Sequence, residues 1–261
     1  MKSKLLIVII MCFLLFPYTV FSAKETSPID QLNYLSDEAL QLTKSHRYED
    51  AKIILDTFSD KFSNVSVKDQ SFTMDELRIV TIAHNEAVEA TSNASMDPDE
   101  RINRVTKFRL VIDAISSTKQ PLWTEMKEPM LTVFSQVKAA ALNGEREVFH
   151  EKLNSFLALY EVVYPSMKID VSSERIQKLD TRINFVDQYR VEILTDNDAR
   201  QELLVLETEL QTIFDGLTED EADPSLWWVI ISTGSIIILT LSYVGWRKYR
   251  GEHEKSKNRS R

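Results

Sequence analysis

The sequence predicts an all-α protein of about eight amphipathic helices, in a bundle or in stacked helical hairpins, followed by one C-terminal transmembrane helix. Three observations carry that prediction. From residue 29 to 217, apolar residues recur at alternating spacings of three and four, the period of a helix with one buried face. Only Gly144 and Gly216 fall within residues 24–225, and no alternating, strand-like run occurs there. Residues 226–246 contain neither a charge nor a proline. At about 1.5 Å per residue such a stretch would rise about 30 Å, one hydrocarbon thickness.

Residues 1–22 read as a secretory signal peptide. Lys2 and Lys4 form its positive start, Leu5 to Phe16 its apolar centre, and Pro17 to Ala23 its exit, with cleavage after Ser22 or Ala23. An acidic helical extracytoplasmic domain, 24–217, follows. The first helical face runs through Leu32, Leu35, Ala39 and Leu42, and the second through Ala51, Leu55, Phe58 and Phe62. The third uses Leu77, Val80, Ala83 and Ala87, and ends at Asn93 to Pro98, where Asp97 is placed to cap the next helix. The fourth runs through Ile102, Val105, Phe108 or Arg109, Ile112 and Ile115.

Ser116 to Pro121 separates these four from the next set. The fifth helix carries Met126, Met130, Val133, Val137 and Ala140, with Pro129 bending its first turns and Asn143-Gly144 ending it. The sixth carries Phe149, Leu153, Phe156, Tyr160 and Val163 and stops at Tyr164-Pro165. The seventh runs from a cap at Ser172 or Ser173 through Ile176, Leu179, Ile183, Val186 and Ile193. The eighth starts near Asp196-Asn197-Asp198 and carries Leu203, Leu206, Leu210, Ile213 and Leu217. A linker, 218–225, leads to the expected span, 226–246, with Trp227 and Trp228 at one end and Tyr243 and Trp246 at the other as interfacial anchors. Arg247, Lys248 and Arg250 open a basic cytoplasmic tail, 247–261.

The eight helices fall into two groups of four, with halves at 24–117 and 120–217. At an offset of 102 residues Ala51 meets Leu153, Leu55 meets Leu157, Phe58 meets Tyr160 and Leu77 meets Leu179. A duplication explains this register, and so does the freedom to slide any two amphipathic stretches past each other. Leu35, Ala39, Leu42, Tyr48, Ala51, Leu55 and Phe58 also resemble a degenerate tetratricopeptide hairpin, although the 34-residue period of that family does not continue.

Charge is distributed unevenly. The whole chain carries −9, yet residues 24–246 hold 22 Lys and Arg against 38 Asp and Glu, a net of −16. Such a body repels phosphate backbones, which argues against a nucleic-acid partner. The single cysteine, Cys12, lies in the signal segment, so the mature chain has no thiol for a disulfide, a zinc site or nucleophilic catalysis.

No catalytic, cofactor-binding or metal-binding residue is expected. Glu147 and His150 have the Glu-x-x-His spacing of carboxylate-bridged metal bundles, but neither His46 nor His84 has a Glu three residues before it, so the set is incomplete. Gly-rich loops and nucleophile elbows are absent. Arg101, Arg104, Lys107 and Arg109 form a basic row on the fourth helix, expected to pair with the domain's own carboxylates. These readings favour a non-enzyme that works by protein–protein contact. A ligand-sensing receptor signalling through the short tail, and a tethered envelope hydrolase, are the alternatives.

Pro224-Ser225-Leu226-Trp227-Trp228-Val229-Ile230 and Tyr243-Val244-Gly245-Trp246-Arg247-Lys248-Tyr249, after a signal peptide and an acidic helical domain, resemble the YpjB family of sporulation proteins from endospore-forming bacteria. The resemblance implies a membrane protein connected with spore formation, without an assigned biochemical activity. The signal segment, the single span and the basic tail are expected to hold the helical domain on the outer face of the cytoplasmic membrane, where its partner would be another envelope or membrane protein. No catalytic residues are carried over.

Overall fold

A computed structural model describes residues 27–69, 72–117, 120–218, 231–238 and 240–246. Between residues 28 and 218 it holds nine α-helices: α1 (Pro28–Lys44), α2 (Tyr48–Asp69), α3 (Met74–Ser92), α4 (Pro98–Ser116), α5 (Lys127–Asn143), α6 (Arg146–Asp170), α7 (Ser173–Gln188), α8 (Arg190–Thr195) and α9 (Asn197–Thr218). A 3-10 turn, Leu122–Met126, precedes α5.

The helix starts follow from short polar side chains. Ser27 accepts from the Asp30 amide while Asp30 accepts from the Ser27 amide. Thr73 and Glu76 repeat that reciprocal arrangement ahead of α3. Asp97 accepts from the Asp99 amide at 2.9 Å, as its position before Pro98 predicts. Gly144 ends α5 at φ 70, a left-handed conformation that costs glycine little. Pro129 sits in the first turn of α5, where no amide hydrogen bond is missed. The sixth helix does not stop at Pro165. It continues to Asp170, because Ser166 and Met167 are fully buried beyond the proline and hold the last turn in place. The expected seventh helix is broken at Tyr189 into α7 and α8.

Contacts close two rings of four helices. α1 packs on α2, α2 on α3, α3 on α4, and α4 back on α1. In the second ring α5 packs on α6, α6 on α7, α7 on α9, and α9 back on α5. Short connections make sequential neighbours antiparallel, so each ring is a bundle, not one turn of an open stack. The two rings meet where α4 packs on α6. Ile169 touches both cores.

Buried positions repeat between the rings at an offset of 98, one helical turn less than 102. Leu32 and Met130, Ser36 and Phe134, Ala39 and Val137, Leu55 and Leu153, Phe58 and Phe156, Val105 and Leu203, and Phe108 and Leu206 are all buried pairs. A shift of four residues keeps the same helix face, which is why the sequence pattern tolerates either register. α3 and α7 match at 96, where Val80, Ala83, Ala87 and Ala90 meet Ile176, Leu179, Ile183 and Val186.

The C-terminal transmembrane helix is corrected. Among the described residues no helix is long and apolar enough to cross a membrane. Within 226–246 the described residues are 231–238 and 240–246, both helical. Ser232, Thr233, Ser235, Thr240 and Ser242 dilute their apolar content. The all-α body stands without that element. The signal segment, residues 219–225 of the linker and the basic tail lie outside the described residues.

Arg101, 5% exposed, stitches the third helix to the fourth. It donates to the carbonyls of Ala90 at 2.7 Å, Asn93 at 2.5 Å and Met96 at 3.1 Å, and its guanidinium lies 4.4 Å from the centre of the Tyr48 ring. Ala90 lies in the last turn of α3 and Asn93 and Met96 in the connection to α4, so one cation ties the helix end to the turn that follows it. Arg101→Met is expected to lower stability by about 3 kcal/mol in urea unfolding, because buried acceptors lose a charged donor. Arg104→Met breaks partly exposed pairs with Glu89 and Glu100 and should cost less than about 1 kcal/mol. Equal effects would contradict the capping role.

Candidate functional site

A groove opens where α3 of the first ring faces α6 and α7 of the second. Its two lobes hold about 160 and 410 Å³ and share Arg78, Ile79, Tyr164 and Lys168. Ile79, Ile82, Ala83 and Pro165 form an apolar floor in the narrower lobe. Ile82 is 52% exposed there, an unusual position for a large apolar side chain on an acidic body.

Each helix brings a different chemistry. From α3 come Arg78 and Asp75, an exposed pair at 3.3 Å that screening leaves weak. α4 brings Lys107, buried and held between Glu86 at 3.0 Å and Glu161 at 3.2 Å. α6 brings Tyr164 and Lys168. The Lys168 ammonium lies 5.5 Å from the Tyr164 ring centre and, among the described residues, has no carboxylate partner. α7 brings Asp180, which accepts the hydroxyls of Tyr160 at 2.5 Å and Tyr164 at 2.7 Å. Burial, the Asp180 hydrogen bond and its charge push the Tyr164 phenol up to about 12, and the same causes raise Tyr160 further. Both phenols therefore stay protonated and keep donating.

Two carboxylates fasten Leu122 and Trp123, ahead of α5. Asp113 accepts from the Leu122 amide at 2.6 Å, and Asp170 accepts from the Trp123 indole at 2.7 Å. Trp123 is fully buried and packs against Phe214. Burial raises the Asp170 carboxyl to about 6. The Trp123 hydrogen bond opposes that rise, and the nearby charges of Asp113 and Glu76 add to it.

The expected site residues fare unequally. Tyr243 and Trp246 are described and are 58% and 57% exposed. Trp227, Trp228, Arg247, Lys248 and Arg250 lie outside the described residues. Glu147 is exposed, and His150 lays its ring edge-on to Phe149. Among the described residues no group of three or more His, Cys, Asp and Glu is placed to hold a metal ion. His84 is a core residue: its Nε2 donates to the Leu55 carbonyl at 2.9 Å and its ring stacks on Phe58. The basic row of α4 pairs with the body's own acids, except for Arg101. Sequence reasoning missed Arg78 and Lys168, because the groove is made by two segments that meet only in the fold.

The raised Asp170 value sets a pH dependence. A carboxyl that binds its proton more tightly when folded stabilises fully below its ordinary value of 3.8, and that contribution is lost as pH rises through about 6. The melting temperature of the wild-type chain minus that of Asp170→Asn should therefore fall between pH 4 and pH 6 and level off above. A flat difference would show that the carboxyl titrates normally.

Comparison with known proteins gives the family. The family model described as "Sporulation protein YpjB (SpoYpjB)" matches residues 29–258. A Bacillus subtilis (strain 168) protein described as "Uncharacterized protein YpjB" is 34% identical over 261 residues, covering 99% of this chain and 98% of that protein. No solved structure matches. The chain belongs to the sporulation protein YpjB family.

Proposed function

We propose that this sporulation protein works by contact and not by catalysis, and that the groove between the two helical rings receives a partner protein. The observation that carries the reading is the pairing of an apolar floor, exposed Ile82 with half-buried Ile79 and Pro165, with the heads of Arg78 and Lys168 on opposite walls. On a body whose residues 24–246 carry a net −16, two cations, Arg78 weakly paired with exposed Asp75 and Lys168 set over the Tyr164 ring, form a local exception. A partner segment presenting an apolar side chain beside a carboxylate fits both features. The partner is an envelope or membrane protein. Nucleic acid is disfavoured by the same acidic charge.

The helical body is proposed to sit outside the cytoplasm. Support comes from the signal-like pattern of residues 1–22 and from a remainder without cysteine. Trypsin added to intact protoplasts of sporulating cells should then cleave the helical body, and protection of that body would overturn the placement.

Arg78→Glu with Lys168→Glu leaves the cores untouched and reverses both groove cations. A photo-crosslinking residue at Ile82 of the full chain should give one defined product in sporulating cells, and the double variant should lose it at unchanged protein level. An unchanged product, or no product at any stage of sporulation, would sink the reading.

A further inference from the structure

A second groove, independent of the first, lies between α5 and α9. It holds about 480 Å³ and is lined by Ser135, Lys138, Leu142, Arg200, Gln201 and Leu204, with Ala139, Asn197 and Leu203 completing it. Leu142 is 68% exposed and Leu204 47%.

The first ring shows what this site looks like when nothing needs to bind. At the offset of 98, Leu142 corresponds to Lys44, Leu204 to Thr106, Ala139 to Gln41 and Gln201 to Asn103. There α1 packs closely along α4, and buried Leu40 occupies the place of Lys138. The second ring is wider because its core is larger: Phe134 and Val137 stand where the first ring has Ser36 and Ala39. Bulkier contact residues push helix axes apart. Width alone explains the gap but not its leucine rim, since the equivalent fold is built with lysine and threonine at those two positions.

We propose that the α5–α9 groove seats an amphipathic helix of a partner protein, leucine-type side chains inward and acidic residues on its flanks. Two walls formed by helices, open along one side, suit a third helix better than an enclosed small molecule, and most lining residues are exposed. None of the lining residues is a carboxylate, while Lys138 and Arg200 stand on opposite walls. Lys138 is matched by Glu207, while Arg200 holds the carbonyls of Ile193 and Leu194 and the Asn197 side chain, so Arg200 supplies the positive charge of the border. The acidic body elsewhere repels such a helix and this border does not.

The test uses the full chain and a fluorescein-labelled synthetic helix of about 15 residues, with leucines at i, i+3, i+4 and i+7 and glutamates between them. Anisotropy should show saturable binding, weakened about tenfold or more by Leu142→Lys with Leu204→Thr. Those changes install the residues of the first ring, so thermal melting should be unchanged. The Arg78→Glu, Lys168→Glu chain should bind the peptide as the wild type does, which separates this site from the first groove. Equal affinity in wild type and leucine variant, or no binding, overturns the proposal. So does a wild-type dimer in sedimentation that the leucine substitutions dissolve, because the occupant would then be a second copy.

Discussion

Helix α4 has no solvent face along its C-terminal half, and the rest of the fold is arranged around that constraint. Eight consecutive residues, Lys107 to Ala114, are buried, which no amphipathic helix on a surface can show. Val105, Phe108, Val111 and Ile112 belong to the first core, and Leu110 and Ala114 to the second. Three ionisable side chains are buried with them and would be costly unpaired. Lys107 is met by Glu86 and Glu161, one from each ring, while Arg109 is met by Asp37 and Asp113. Of these pairs only Lys107–Glu161 crosses between the rings, beside the apolar packing of α4 on α6.

From that joint the two rings diverge in the size of what they bury. The first ring buries Ser36, Ala39, Ala83, Ala87 and Ala90 at positions where the second buries Phe134, Val137, Leu179, Ile183 and Val186, and the larger side chains spread the helices. One architecture therefore presents a tight bundle and a looser one, with a groove between them and another within the looser one. Contact surfaces arise here as a consequence of core volume and not as loops added to a scaffold.

Much of this was readable from residue spacing. The helices, the Asp97 cap and the Gly144 stop follow from local rules that need no partner segment, and the acidic composition alone pointed most α4 cations to carboxylates. Other features were hidden because they depend on distant packing. Pro165 looked like a stop because its missing amide is a local fact, whereas the burial of Ser166 and Met167 beyond it is a tertiary one. The offset of 102 placed Phe58 against Tyr160, and the fold places it against Phe156. A helical period cannot distinguish registers one turn apart. Arg78 and Lys168 are 90 residues apart in the chain, and nothing near either marks it as a groove cation. The uncharged stretch at 226–246 read as a transmembrane helix from length and composition, and among the described residues no helix is long and apolar enough to cross a membrane.

Spore formation is given by the family, and the two proposed contact grooves require the helical body to hold its shape. Stiffness depends on the α4 joint, since a hinge there would reshape the groove between the rings. Native-state hydrogen exchange on the full chain tests this most directly. If the joint makes one cooperative unit, the amides of residues 107–114 exchange last, and the most protected amides of α2 and α9 exchange with the same free energy as α4. Two separate plateaus, with one ring opening while the other stays protected, would contradict it.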